Sequence, residues 1–484
     1  MTPYRITRRA FNAALPGVCG AAPWKTGAAP APCRFLHATV EGEGTPVPVA
    51  GFIEHAIPPD SKNGVLLRWP AEVRGAAGFG FAFGHDYREF GKIAVHLAGS
   101  GRLIASVDVS LAPRFDPYYV PLSDPDARTA SREGLLLRAE GGDARRSVLS
   151  AGPARRREAP ALHPFLLIPG KLRPLDEYFH RMRSLDVTQE FDWRAGCVTE
   201  GLYALGELKA LRRYLDLFLR ESSEEATASF RRGVEQTLPA AAIARVMSSH
   251  PAIEDALSLW SKRRNASGHV QGGTRIVAEA NYTVAYPMAV IGAVRGDGAL
   301  REQAVLQLRA ARDRLVDTAG NLFLRHDEST GERTYLGWAR GVAWYILGLA
   351  ATLDALPDAE RPPDLLEELR RSLRWALQFQ RDDGLWCAFL PESDVAPDTS
   401  GSAGIGAALR IARKLRAAEP SWEQAARRAL QGCLGRLSPH GFLTGVSQSN
   451  KREGGESFQR SPHRVSMQFG MGLLGAFLAN SPSV

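Results

Sequence analysis

The sequence predicts a mainly α protein: a toroid of six helical hairpins, (α/α)6, preceded by an N-terminal β-sandwich. Three observations lead there. The hydrophobic period changes from two to helical near residue 165, about twelve helical segments follow in pairs joined by short loops, and no fixed repeat length marks a solenoid. At 484 residues the chain exceeds the usual size of one domain, which suits a large toroid with an appendage.

Taken in order, residues 1–24 read as a twin-arginine export signal. Arg8, Arg9 and Phe11 precede a short Ala/Gly-rich stretch with small residues where a peptidase could cut. The expected location is therefore periplasmic or extracellular, or cytoplasmic if these residues are only a ragged terminus. Residues 35–150 alternate with period two. In "KIAVHLAGSGRLIASVDVS", Ile93, Val95 and Leu97 share a face, and Leu103, Ala105, Val107 and Val109 resume it after a Gly-Ser-Gly turn. This is the expected β-sandwich. "AGPARRREAPALHP", 151–164, changes composition abruptly and is the expected linker. From 165 to 484 the toroid is expected. Leu300, Ala304, Leu308, Ala311 and Leu315 form one helical stripe. Leu366, Leu369, Leu373 and Leu377 form another, with Asp364 as its expected N-cap and Gly384 beyond its end.

Composition excludes several classes. The chain is 44% hydrophobic and 23% charged, as folded proteins are, and no apolar run is long enough for a membrane span. The net charge of +8 sits largely in arginine clusters without an aromatic-laced basic stripe, so nucleic acid is not an expected partner. The five cysteines show no CxxC or Cys/His spacing, so structural zinc is not expected. Oligomeric state is not legible.

In a toroid of this kind the loops at one end of the inner helices build the site, so polar and aromatic residues at the starts of apolar helices are the candidates. Four stretches qualify: "DWRAGCVTEGLYALGEL" with Trp193, "GVEQTLPAAAIARV" with Glu235, "HVQGGTRIVAEANYTVAYPMAVIG" with His269, Glu279, Asn281 and Tyr282, and "GWARGVAWYILG" with Trp338, Arg340 and Trp344. A carboxylate in an apolar pocket keeps its proton to higher pH and suits general-acid work. Tryptophan faces stack on sugar rings, and arginine offers a forked donor pair to a ligand carboxylate. Each residue alone is as readily structural: a lone Glu as a cap, Trp344 as core, Arg340 as the partner of an internal Glu. Their recurrence at helix starts favours a site.

These residues resemble a known group. "WARGVAWYILG" is similar to the W-x-R-G-x-x-W-x-x-x-G signature of the unsaturated glucuronyl and rhamnogalacturonyl hydrolases, glycoside hydrolase families 88 and 105. "WRAGCVTEGLYAL", "IVAEANYTVAYPMAVIGAVRGD", "FLRHDEST", "DGLWCAFL" and "PDTSGSAGIGAAL" match further family stretches in the same order, over roughly 170–480. The resemblance implies an (α/α)6 barrel that hydrolyses a terminal Δ4,5-unsaturated uronic acid without metal or cofactor. An acid protonates the enol-ether double bond, water adds at the neighbouring carbon, and the hemiketal collapses. By the same resemblance Glu279 stands where the family has its acid/base aspartate, Glu235 roughly where it has a second one, and His269 near a substrate-contacting histidine, offset by one residue. Trp338, Arg340 and Trp344 match directly. Both aspartate positions carry glutamate here, one methylene longer, and displacements of about 1 Å can cost about a hundredfold in rate.

The expected function is thus hydrolysis of oligosaccharides with a terminal uronic acid, unsaturated by the resemblance. The alternatives are a saturated-sugar glycosidase or sugar epimerase on the same fold, the latter needing two or three of His250, His269 and His326 at inner-helix ends, and a non-catalytic carbohydrate-binding protein. His85, Asp86 and Tyr87 read as a polar turn between strands.

Overall fold

A computed structural model describes residues 30–59, 63–85, 89–141, 146–448 and 455–481. The expected export signal, Cys19, Asp86 and Tyr87 lie outside the described residues. Among the described residues, twelve helices of the helical part alternate between an outer and an inner ring, and a short additional helix, Gly455–Arg460, precedes the last inner one. The inner ring consists of Trp193–Ala204, Pro239–Val246, Tyr286–Arg295, Ala339–Ala355, Thr399–Lys414 and Gln468–Ala479. Each packs against the next, and the last returns to the first, so the ring is closed. The outer helices Pro174–Arg183, Leu208–Asp216, Ala252–Lys262, Gly298–Leu315, Pro363–Leu377 and Trp422–Leu434 lie between them in sequence.

The burial pattern follows from where each helix sits. Ala339–Ala355 and Gln468–Ala479 are apolar on every face, as helices surrounded by protein must be. The outer helices bury one stripe. In Gly298–Leu315 the expected stripe is buried at Ala304, Leu308, Ala311 and Leu315, while Leu300, in the first turn, is only partly buried. In Pro363–Leu377 the expected cap does not form. Pro362 precedes the helix, and the Asp364 carboxylate accepts from Arg309 and Arg312 of the preceding outer helix at 2.9–3.0 Å. Two guanidinium groups within reach outcompete the backbone for the carboxylate.

Glycines let the inner helices touch through their backbones. A Cβ on Gly472 would sit 2.2 Å from the carbonyl oxygen of Cys197, and one on Gly201 would sit 2.4 Å from that of Gly472. The last glycine of "WARGVAWYILG" does the same work, since a Cβ on Gly348 would lie 2.4 Å from backbone atoms of Asn281 and Tyr282.

The N-terminal part is strand-rich, and its strands form three sheets. β1 (Arg34–His37) pairs with β12 (Phe165–Ile168), which continues through β6 (Gly78–Ala82) to β9 (Pro117–Pro121). A five-stranded sheet has the order β2 (Thr39–Glu41), β5 (Val65–Arg68), β10 (Leu135–Glu140), β7 (Lys92–Leu97), β8 (Leu103–Asp108). β11 (Arg146–Ala151), β4 (Phe52–Ile57) and β3 (Thr45–Pro46) form the third. The hairpin expected at β7–β8 is present, with Gly101 at φ 72° in its turn. A register shift at Val95/His96 breaks the alternation, and Leu103 turns outward, 48% exposed, instead of sharing the core face.

The strand-rich part runs to Ile168, beyond the expected boundary at 150. The expected linker is folded: it carries a helix, Pro153–Glu158, and a 3-10 turn, Pro160–Leu162, whose Ala161 and Leu162 are buried. Arg155, one of the three consecutive arginines, is buried and bonds Glu158 and Glu221 at 2.6 and 2.8 Å. A charged run reads as linker in sequence, yet here one guanidinium is desolvated between two carboxylates. One hydrophobic core continues across the boundary, with Phe52, Phe115, Leu149 and Leu162 packed together with Tyr178 and Met182 of the first outer helix.

Candidate active site

The starts of the inner helices converge on a cavity of about 390 Å³. Its lining includes Trp193, Glu235, Glu279, Trp338, Arg340 and Trp344 among the sequence candidates, together with Arg194, Arg275, Arg325, Met467, Phe469 and Pro113. His269, Asn281 and Tyr282 do not line it.

Glu279 is placed by a small sheet at the cavity rim. β13 (Arg275–Val277) pairs with β14 (Phe323–Asp327), and β14 with β15 (Arg333–Leu336). The register sets Val277 opposite Arg325, and the Ala278 amide donates to the Leu324 carbonyl at 2.8 Å. Arg325 reaches the cavity from β14, and Glu279 reaches it from the helical turn that follows β13. Immediately after comes a π-turn, Asn281–Ala285, a departure from helical geometry common at functional sites. Glu279 is half-buried, and its Oε2 has no hydrogen-bond partner among the described residues. Burial pushes its carboxyl above the usual range; Arg325 opposes this, and Glu235 adds to it. Glu235 stands on the 3-10 turn Val234–Gln236, just before the second inner helix, and accepts from the Gln236 amide at 3.2 Å.

The aromatic wall is continuous. Trp193 meets Trp344 edge-on at 5.4 Å and Phe469 at 5.0 Å. Tyr282 stacks against Trp344 at 5.8 Å and, nearly parallel, on Tyr286 at 5.5 Å. Tyr282 thus buttresses the tryptophan from behind instead of meeting a ligand.

Arg340 has another partner than the expected ligand carboxylate. Its Nη1 donates to the Ser447 Oγ at 2.7 Å and its Nη2 to the Gln448 carbonyl at 2.8 Å. The guanidinium lies 4.4 Å from the Trp338 ring centroid and 5.2 Å from that of Phe469. Burial lowers its pKa to about 10, with Asp398 and Glu279 opposing. The Ser447 hydroxyl in turn donates to Asp398 at 2.8 Å, and Asp398 also caps the fifth inner helix by accepting from the Ser400 amide at 2.9 Å. The arginine between indoles holds the 447–448 segment at the cavity wall.

The other two expected ligand contacts are structural. Asn281 donates to the Tyr345 carbonyl at 3.2 Å, joining two inner helices. His269 is buried, with its ring nitrogens 2.7 Å from the Gln307 amide and 3.3 Å from Gln271. His250 and His326 do not line the cavity either. Among the described residues no group of three or more His, Cys, Asp or Glu is placed to share a metal ion.

Sequence reasoning missed Arg325, although it lies in the quoted "FLRHDEST", and Arg194, beside Trp193. Arg194 clasps Asp192 through Nε and Nη2 at 2.7–3.1 Å, and Asp192 caps the first inner helix. Pro113 carries no signal in the sequence.

The closed double ring of helices, with carboxylates and tryptophans at the starts of its inner helices, defines a six-hairpin toroid. The family described as Glycosyl Hydrolase Family 88 matches residues 281–481. The chain is 25% identical over 184 residues to the unsaturated rhamnogalacturonyl hydrolase YesR of Bacillus subtilis, which covers 37% of this chain and 52% of that protein. The chain spans little more than half the length of the curated relatives it matches. Among solved structures, a possible member of the GH105 family from Salmonella enterica superposes with a TM-score of 0.54 at 19% identity, over 62% of this chain and 83% of that one. A family 105 glycoside hydrolase from C. acetobutylicum gives 0.53 at 17% identity, over 63% and 97%. The family match falls on the helical part, and the likenesses to solved structures bear out the six-hairpin fold.

Proposed function

We propose that this protein is a glycoside hydrolase that removes a terminal unsaturated uronic acid from oligosaccharides, with Glu279 as the general acid. The observation that carries this reading is the state of Glu279: a half-buried carboxyl with one oxygen unpartnered, held protonated to higher pH by burial, inside a cavity walled by three tryptophans. An acid of this kind delivers its proton to the enol-ether carbon, and Glu235 across the cavity polarises the water that adds next to it. The product hemiketal then opens by itself. The tryptophans suit the C–H faces of a sugar ring. Arg325, rather than Arg340, is the guanidinium left to face a ligand carboxylate.

The likeness to an unsaturated rhamnogalacturonyl hydrolase supports the substrate class. The absence of His250, His269 and His326 from the lining argues against an epimerase. The twin-arginine-like start favours export. The test is incubation with lyase-generated oligosaccharides while the ultraviolet absorbance of the double bond is followed. Loss of absorbance with release of the shortened sugar is expected. Unchanged absorbance across acidic fragments of several linkages would overturn the reading.

A further inference from the structure

We propose that the sandwich segment 109–116, "VSLAPRFD", is a wall of the sugar pocket and that Pro113 is a specificity-determining residue for the unit next to the terminal ring. This rests on the reading of the cavity as the sugar site. Pro113 is the one lining residue from the strand-rich part among those of the described cavity.

The segment is fastened to three toroid residues that stand beside, or bond, residues lining the same cavity. The Ser110 carbonyl accepts from the Gln448 amide at 3.3 Å, and the Gln448 carbonyl is the acceptor of Arg340 at 2.8 Å. Arg114 donates to Glu190 at 2.8 Å, two residues before the Asp192–Arg194 cap. The Phe115 carbonyl accepts from Gln468 at 2.8 Å, and Gln468 stands between the lining residues Met467 and Phe469. The segment also carries backbone strain around the proline. Leu111 and Phe115, both buried, adopt φ of 58° and 75°, a conformation that side chains with a Cβ rarely take. Such strain persists only where the surroundings impose it.

The position of the wall gives its role. The starts of the inner helices supply the cavity's Trp193, Trp344 and Phe469. Pro113 is itself buried, and its segment is fastened beside the starts of the first and last inner helices, across the closed ring from the third, whose start carries Glu279. A ligand that offers its terminal uronyl ring to Glu279 then has its next sugar on the opposite side of the cavity, against Pro113.

The experiment is quenching of intrinsic tryptophan fluorescence in the full-length protein by a free unsaturated uronic acid and by lyase-generated di-, tri- and tetrasaccharides. Wild type is compared with Pro113→Ala and Pro113→Phe, and thermal melting verifies that each variant is folded. Pro113→Ala should weaken the disaccharide and longer sugars by about fivefold, the worth of a methylene or so of apolar contact, and leave the monosaccharide unchanged. Pro113→Phe should obstruct the longer sugars while still admitting the monosaccharide. Equal changes for all lengths, or none in either variant, would overturn the wall role alone. A wild-type protein that answers to no sugar in the panel would overturn the sugar-pocket reading and the wall role with it.

Discussion

Replacing Glu279 by glutamine separates chemistry from fold. The amide keeps the shape of the carboxyl but has no proton to give. General acids contribute about 10²–10⁴ in rate, or roughly 2.7–5.5 kcal/mol of barrier, so kcat should fall by at least about a hundredfold. The structure adds a second, opposite effect. Oε2 makes no hydrogen bond, so the substitution breaks none there, and the neutral amide escapes the burial that disfavours a carboxylate. Because the folded-state pKa of Glu279 is raised, the native state holds the proton over a range where the unfolded chain, near the ordinary 4.5, has lost it. Wild-type stability therefore declines as pH rises through that window, and the penalty persists above it. Glu279→Gln should accordingly melt no lower than wild type at neutral pH, and its advantage should vanish below the unfolded carboxyl's range. Initial rates by loss of ultraviolet absorbance, together with melting curves from pH 4 to 8, measure both. An active variant would move the acid elsewhere, to Glu235 first. An inactive variant that also melts well below wild type would make Glu279 structural. Glu279→Asp shortens the side chain by about a bond length. It should cost about a hundredfold if the cavity is shaped to the glutamate.

The remaining predictions concern the charges and the domain boundary. Arg325→Gln removes the cation that holds the Glu279 pKa down, so the alkaline limb of the kcat/KM profile should move to higher pH; a limb that stays or moves down would remove Arg325 from the acid's surroundings. Arg340→Lys keeps the charge but cannot bridge Ser447 and Gln448, so about 1.5–3 kcal/mol of stability should be lost, and acidic and neutral sugars should weaken together; selective loss of the acidic ligand would restore Arg340 as its fork. A chain beginning at residue 165 loses Phe52, Phe115, Leu149 and Leu162 from the shared core and should aggregate; a soluble, cooperatively melting product would show that the toroid folds alone.

Glu279 and Arg340 show how far the sequence could be read. A carboxylate among Val277, Ala278 and Ala280 suggests either a desolvated acid or a helix cap, and the burial that raises its pKa is supplied by the folded cavity. Arg340 between two tryptophans announces only that something must satisfy a buried guanidinium. The partner, a serine and a carbonyl more than a hundred residues further on, is a matter of which loop the closed ring brings past the helix start. Tyr282 shows the same ambiguity: an aromatic beside an acid fits a ligand platform or a buttress equally, and the stack on Trp344 decides.

Periodicity by itself determined the alternation of inner and outer helices, because a helix buried on all sides and one buried on a single stripe need different compositions. Motif order determined the family resemblance, and polar or aromatic residues at the starts of apolar helices determined four of the segments that meet at the cavity. Tertiary structure alone decided that residues 151–168 belong to the sandwich, that Arg325 lines the same cavity as Glu279, and that Pro113 reaches it. The physical reason is the same in each case. Helical and strand periods record only whether a face is wet or dry, whereas strand partners and loop contacts are chosen by residues distant in the chain, whose identities the local pattern does not encode.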